Sequence, residues 1–322
     1  MKNMKSTVLY VVVPCYNEEG CLKETTKQLI AKISDLKSRK IISDKSRIVY
    51  VDDGSKDKTW QLTKELSAKH PEIIGLKLSR NRGHQNALLA GLMYAKEYAD
   101  AVVSMDADLQ DDINAIDKML AKFADGYEVV YGVRSSRKKD SFFKRFTAQS
   151  FYKFMKLMGA EVVYNSADYR LMSKRALNEL AKFEESNLFL RGIVPIIGLK
   201  WTTVEYERGE RFAGESKYPF KKMLSFAWDG ITSFSVKPLK LVLTIGVMIF
   251  ILSLGFLAYS FIQYLLGNTV GGWTFLACSI WIVGGLEMIC IGLIGEYVGK
   301  IYAESKHRPK YIIEEICHEE KH

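Results

Sequence analysis

Two apolar runs near the C-terminal end limit most strongly what this chain can become. From Pro238, "LKLVLTIGVMIFILSLGFLAYSFIQYLL" carries no charge after Lys240. A short "GNTVGG" follows, and "WTFLACSIWIVGGLEMICIGLIGEYVGKIY" starts at Trp273. Each exceeds the roughly 20 apolar residues that cross a bilayer as a helix, and soluble cores seldom supply two such runs in tandem. Spans over about 239–266 and 273–298 are therefore expected. Lys237 and Lys240 flank the first run, Lys300, Lys306, Arg308 and Lys310 follow the second, and the connecting loop has no lysine or arginine. Because cationic flanks stay in the cytoplasm, the pattern predicts a membrane hairpin with the N-terminal part and the tail both cytoplasmic. Glu287 lies deep in the second run, where a charge is expensive. Protonation, burial between helices or pairing across an oligomer would each accommodate it, and lipid-facing exposure is the least favoured reading.

Ahead of the hairpin, strand and helix signals alternate from about Thr7 to Asp168. "VLYVVVP", "SRIVYVDDGS", "EIIGLKLS" and "DAVVSMDAD" read as buried strands. "EEGCLKETTKQLIAKISDLKS", "KDKTWQLTKELSAKH" and "HQNALLAGLMYAKEY" read as the helices between them. Leu22, Leu29, Ile33 and Leu36 share one side of the first helix, and Ser55 or Asp57 is placed to cap the second. Strands separated by helices of this length predict a mostly parallel sheet, whose ligands bind beyond the C-terminal strand ends. "PCYNEE", "DDGS" and "DADLQ" all fall at those ends.

After Asp112 the alternation loosens. "YEVVYGVR" reads as one more strand. Two basic, aromatic-rich stretches, about 140–158 and 219–237, have the character of helices lying in a membrane interface, although ordinary packing on the sheet would also suit the first. The net charge of +9 fits a polyanionic partner: nucleic acid, an anionic membrane surface or phosphorylated substrates. Five cysteines show no metal-ligand spacing, and their odd number fits a reducing compartment.

The strand-end residues carry the chemistry. Asp106 and Asp108 flank Ala107, so both can enter one crevice, and two hard carboxylates suit Mg²⁺ or Mn²⁺ that keeps waters and phosphate oxygens. Gln110 can add a neutral oxygen. Asp111 and Asp112 suit capping or first-turn positions of the next helix. Asp53 and Glu18 can accept hydrogen bonds from the base and ribose of a nucleotide, while Gly54 permits close backbone approach. One of Asp52 and Asp53 also suits a turn or a cap. His84 is placed either at a donor pocket or as a helix cap, and no serine–histidine–aspartate set is present.

In this order, "VVVPCYNEEG", "VYVDDGSKDKT", "SRNRGHQNALLAG", "MDADLQDD", "YGVRSSR", "NSADYRLMSKRAL" and "ERFAGESKYPF" resemble the polyisoprenyl-phosphate glycosyltransferases. These belong to the inverting GT-A family that includes dolichol-phosphate mannose synthases and bactoprenol glucosyltransferases. The resemblance covers nearly the whole chain. It implies a Rossmann-like GT-A α/β domain over 1–218, a juxtamembrane helix over 219–237, the transmembrane hairpin within 238–302 and a cytoplasmic tail over 303–322. It also implies transfer of a hexose from a nucleotide sugar to a polyprenyl phosphate at the cytoplasmic membrane face. UDP-glucose and undecaprenyl phosphate are the default substrates; N-acetylglucosamine, mannose and aminoarabinose stay open. By position, Pro14, Tyr16, Glu18, Val51 and Asp53 would line the nucleotide, and Asp106, Ala107, Asp108 and Gln110 would hold metal and diphosphate. Arg134, Arg211 and Lys217 would contact phosphates, though Arg211 and Lys217 also suit a membrane surface. Asp168 is the candidate base, with Arg170 orienting it or binding phosphate; a structural Asp–Arg pair serves equally well. Membrane lipids and a second copy of the chain complete the implied partners, with no nucleic acid.

Two other readings share these features. A processive polysaccharide synthase also joins such a domain to membrane helices, but it usually has more spans and a QxxRW-type motif, which this sequence lacks. A non-catalytic sugar-nucleotide-binding scaffold would not need Asp106, Asp108, Arg211 and Lys217 together.

Overall fold

The computed structural model describes residues 6–135, 166–185, 189–207, 209, 237–267 and 272–318. The two basic aromatic stretches, Arg211 and Lys217 lie outside them. The chain alternates β1 (Leu9–Cys15), α1 (Leu22–Ser38), β2 (Arg47–Asp52), α2 (Thr59–Lys69), β3 (Ile73–Leu78), α3 (His84–Tyr98) and β4 (Ala101–Ser104). It continues with α4 (Ala115–Ala124), β5 (Val129–Arg134), β6 (Ser166–Ser173), α5 (Lys174–Leu180), α6 (Leu190–Ile196) and β7 (Trp201–Tyr206). Two long helices, α7 (Lys237–Leu265) and α8 (Trp273–Ser305), precede a last strand, β8 (Ile313–Cys317).

The apolar strand runs form one eight-stranded sheet, ordered β7-β5-β6-β4-β1-β2-β3-β8. β1 pairs in parallel with β2 and β4, β2 with β3, and β5 with β7. β6 runs antiparallel to both β4 and β5, and β8 antiparallel to β3. Alternation along β1 divides the core. Leu9, Val11 and Val13 pack with Leu22, Leu29, Ile33 and Leu36 of α1 and with Met119 of α4. Tyr10 and Val12 pack with Leu88 and Ala95 of α3, Leu177 of α5 and Ile193 of α6. Helices therefore cover both faces, as continuous apolar strands require.

At 29 and 33 residues, α7 and α8 are about 43 and 50 Å long, more than the ~30 Å of a bilayer's hydrocarbon core. Among the described residues, Ile282–Ser305 is long and apolar enough to cross a membrane by length and composition, with a mean hydropathy of 1.6. Glu287 is exposed on α8 in the single chain. Burial between the two helices, one of the readings its position allowed, is not what the structure has.

The tail beyond α8 does not stand apart from the domain. Ile313 pairs with Leu78 and Cys317 with Gly75, while Ser79 N–H donates to Ile312 O at 3.0 Å. Glu315 accepts from Trp60 Nε1 at 3.1 Å, Glu314 meets Lys77 Nζ at 3.1 Å, and Lys310 Nζ donates to Phe183 O at 2.7 Å. Tyr311, Ile313 and Ile316 join the core on the α3 face. A segment from beyond the helices thus covers the exposed edge of β3, which would otherwise present unpaired backbone groups.

Candidate active site

Four parallel strands end side by side, and their loops are laced together by side chains. Asn17 N–H donates to Ser55 Oγ at 2.9 Å, Lys56 N–H to Asn17 Oδ1 at 2.8 Å, and Glu18 N–H to Thr59 Oγ1 at 2.8 Å. Ser55 is therefore a loop acceptor. Asp57 takes Thr59 N–H at 2.9 Å, just ahead of α2. Asp53, only 2% exposed, takes Arg82 N–H at 2.6 Å on Oδ1 and Gly83 N–H at 2.9 Å on Oδ2. It thereby fixes the turn that leads into His84. Gly54 has φ +64°, and a Cβ there would come within 2.7 Å of Arg80 C and Asn81 N. The close approach expected at this glycine is thus made by the chain's own β3–α3 turn.

Each residue expected at a nucleotide lies at this edge, with different surroundings. Tyr16 and Glu18 are partly exposed in the β1–α1 loop. Pro14 and Val51 are buried neighbours in the β1–β2 register. Val51 packs beneath α3, so its side chain faces the core and only its backbone is left for a ligand. Asp53 has committed one lone pair on each oxygen to the protein, of roughly four that a carboxylate offers.

Asp106, Ala107, Asp108 and Gln110 follow β4. Ala107 O is held by Thr25 Oγ1 at 2.7 Å, and Gln110 N–H donates to Asp108 Oδ1 at 3.2 Å. Leu109 adopts φ +58°, a costly conformation for a leucine and one found mostly where a chain must turn sharply at a site. That turn sends Asp111 inward, where it is 3% exposed and accepts from Tyr206 Oη at 2.6 Å. Its other oxygen, Oδ2, is buried without a hydrogen-bond partner. Burial, then repulsion from Asp106, pushes the Asp111 carboxyl up to about 6. The helix-start role expected of Asp111 is not observed, since α4 begins only at Ala115. Asp112 Oδ1 instead accepts Asn114 N–H in the preceding turn.

β6 brings in residues that no local motif joins to these. Ser104 pairs with Arg170, and continuing that antiparallel register by two residues sets Asp168 opposite Asp106. Asp168 Oδ1 accepts from Arg170 Nη2 at 2.7 Å and Arg191 Nε at 3.2 Å, and Oδ2 accepts from Arg191 Nη2 at 3.0 Å. Burial alone would raise this carboxyl, but Arg191, His84 and Arg170 together hold it well below the usual range. His84 Nε2 stands 3.6 Å from both Asp106 Oδ1 and Asp168 Oδ2. Burial opposes its charge, yet those carboxylates push the imidazole up to about 9. Burial also raises Asp106, with Asp168 and Asp108 repelling its charge.

Arg134 ends β5, alongside Tyr206 of β7. Arg211 and Lys217 fall outside the described residues; Gly209 N–H donates to Gln110 O at 2.9 Å. Arg191, Asp111 and Tyr206 were not singled out as site residues from the sequence. For Arg191 no local pattern could have done so, whereas the alternation of β7 marks Tyr206 as inward.

Among the described residues no three histidine, cysteine, aspartate or glutamate side chains form a ready metal cluster. The edge instead offers two adjacent carboxylates, an amide and several cations. That is chemistry suited to polyphosphates, with the leaving group's charge met by fixed positive groups.

Comparison with known proteins agrees with this arrangement. Residues 10–181 match glycosyl transferase family 2, and residues 237–301 match the GtrB C-terminal hairpin. The glycosyltransferase YkoT of Bacillus subtilis is 54% identical over 95% of this chain and 91% of its own. A bactoprenol glucosyl transferase of Shigella phage SfV is 40% identical over 94% of this chain and 97% of its own. Among solved structures, mannosyl-3-phosphoglycerate synthase from Rubrobacter xylanophilus matches 69% of this chain and 71% of its own, at 16% identity and TM-score 0.47. The mostly parallel sheet, the strand-end aspartates and the full-length likenesses lead to one conclusion: the chain belongs to glycosyl transferase family 2, with a GT-A domain followed by a GtrB-type hairpin.

Proposed function

We propose that this protein transfers a hexose, with inversion, from UDP-glucose to undecaprenyl phosphate at the cytoplasmic face of a membrane that α7 and α8 both cross. The register of β8 carries the lipid acceptor. Ile313 pairs with Leu78 at the C-terminal end of β3, the sheet edge that also holds Asp106 and Asp108. Only residues 306–312 separate α8 from β8, a reach of at most about 28 Å. An apolar helix therefore ends near the site edge, where a phosphate at a membrane surface can be met. β7 and β8 belong to one sheet, so the chain between them must cross any membrane an even number of times, which supports two spans. The cationic flanks support the cytoplasmic side. The phage relative's name supports both a polyprenyl acceptor and glucose.

The donor set fits Mg²⁺ or Mn²⁺: Asp106 and Asp108, with Gln110, offer hard oxygens, and Asp111 Oδ2, buried without a hydrogen-bond partner, adds a further carboxylate oxygen behind them. A divalent cation held there would offset charge building on the leaving diphosphate. Arg134, with Arg211 and Lys217, would screen the two anionic substrates from each other. Tyr16, Glu18 and Asp53 would orient the nucleotide. The acceptor oxygen is already ionised at neutral pH, so its attack needs no strong base.

The test incubates the purified full-length chain in lipid nanodiscs with Mn²⁺ or Mg²⁺, polyprenyl phosphate and a panel of labelled nucleotide sugars. Label should enter a lipid extract as a mild-acid-labile monophosphate-linked sugar, and Asp108→Ala should abolish most of it. Label in a growing polymer, or none in lipid with any donor, would overturn the reading.

A further inference from the structure

Asp168 is placed as a base would be, beside Asp106, but it is bonded as an anchor. Its two oxygens accept three guanidinium N–H bonds within 3.2 Å, and the residue is 6% exposed. Arg191 grips it side-on, Nε to Oδ1 and Nη2 to Oδ2, a geometry that fixes the plane of a guanidinium. The two arginines divide the work. Arg170, 2% exposed, is held inside the protein, its Nη2 donating to Asp168 and its Nη1 to Leu190 O at 3.3 Å. The Arg191 side chain is 33% exposed, at the start of α6, and a chain of ion contacts through Asp168 and His84 links it to Asp106. A rigidly held, partly exposed guanidinium linked to the aspartate pair through this short chain of contacts is placed to meet a phosphate.

We propose that Arg191 is a phosphate-contacting residue of the transfer site and that Asp168 is its positioning residue rather than a proton acceptor. The inference rests on the proposed hexosyl transfer. In that reaction a phosphate oxygen of the acceptor bonds to the anomeric carbon. The bond from that carbon to the donor's diphosphate breaks, and its electron pair leaves with the diphosphate. No proton has to be removed, so a locked carboxylate at this position costs the reaction nothing. The phosphate that Arg191 meets belongs either to the donor's diphosphate or to the acceptor, and the two give different readouts.

The experiment uses the full chain in nanodiscs and compares Arg191→Gln, Arg191→Lys, Asp168→Asn and Asp168→Ala. UDP affinity with Mn²⁺ is measured by calorimetry, kcat and acceptor KM by lipid labelling, and thermal stability alongside. Arg191→Gln should lower kcat/KM by about tenfold or more, since a charge-assisted contact is lost. Arg191→Lys should restore part of it. Weakened UDP binding would assign the donor's diphosphate; a raised acceptor KM with UDP binding unchanged would assign the acceptor. Asp168→Asn, whose amide oxygen still accepts from Arg191, should keep more activity than Asp168→Ala. Wild-type kinetics in Arg191→Gln would overturn the proposal, and so would an inactive Asp168→Asn with normal UDP and acceptor affinities, as expected of a lost base. If the wild-type chain labels no lipid, the functional reading fails. Arg191 is then judged by UDP alone: weaker binding in Arg191→Gln supports its phosphate contact, and unchanged binding overturns it.

Discussion

Gly91 shows how tightly the helix that carries His84 is set on the sheet. A Cβ built there would lie 2.4 Å from Val12 Cγ1 and 2.8 Å from Val51 Cγ2, where carbon atoms prefer about 3.5–4.0 Å. Gly91→Ala therefore brings two opposed effects. Replacing a mid-helix glycine gains about 1 kcal/mol of helix propensity, whereas overpacking a filled core costs about 1–3 kcal/mol. Both valines are fully buried in central strands, and β-branched side chains have little χ1 freedom to yield, so the cost lies at the upper end. The net loss is about 1–2 kcal/mol, or roughly 2–8 °C in melting temperature for a domain of this size. Thermal unfolding of the detergent-solubilised chain should show that drop. Activity should fall as well, because α3 must lift and His84 sits two turns away on the same helix. Val12→Ala in the Gly91→Ala background removes the nearest methyl and should recover part of the stability. An alanine variant as stable as wild type, or no recovery in the double variant, would refute the steric reasoning.

Two further outcomes follow from the site's surroundings. Asp53→Ala should destabilise the chain by about 1–3 kcal/mol, since two part-buried backbone N–H groups lose a charged acceptor, and it should weaken UDP binding in calorimetry; unchanged stability would show that the β3–α3 turn does not depend on this carboxylate. Asp117 is held below its ordinary value because the ion pairs with Lys32 and Arg39 outweigh its burial. A carboxyl lowered on folding contributes stability above its unfolded value, near 4, and loses it as pH falls through the folded one. With the side chain 26% exposed, the contribution is about 1 kcal/mol or less. Asp117→Asn should thus melt lower than wild type at pH 7, and the gap should close as pH falls through the carboxyl's lowered folded value; a gap that does not narrow in acid would refute the ion-pair account.

The parallel half of the sheet was legible because buried strands are nearly continuous apolar runs bounded by turns, and Asp106 and Asp108 were legible because their spacing follows such a run. The partners of Asp168 were not. Bringing it beside Asp106 depends on the antiparallel register of β6 against β4, and Arg191 arrives from a short helix with no motif of its own. Asp111 was misread because carboxylates favour helix starts, a local preference overridden by the turn at Leu109. "YIIEEIC" is rich in isoleucine, which favours strands, but lacks a period-2 alternation and follows two membrane-like helices, so its sequence position suggested a tail.

The position of β8 also sets an order of events during synthesis. β3 is made early, yet its outer partner emerges from the ribosome only after both long helices. Until then the nascent domain carries an open strand edge, a surface that invites wrong pairing with other chains. If α7 and α8 cross a membrane as proposed, the sheet can be completed only when the helix pair has returned the chain to the side where the domain waits. A ribosome stalled within α8 would therefore leave a domain that holds its aspartates but is sensitive to protease at β3, and on the proposed topology membrane insertion becomes a step in folding the sheet domain.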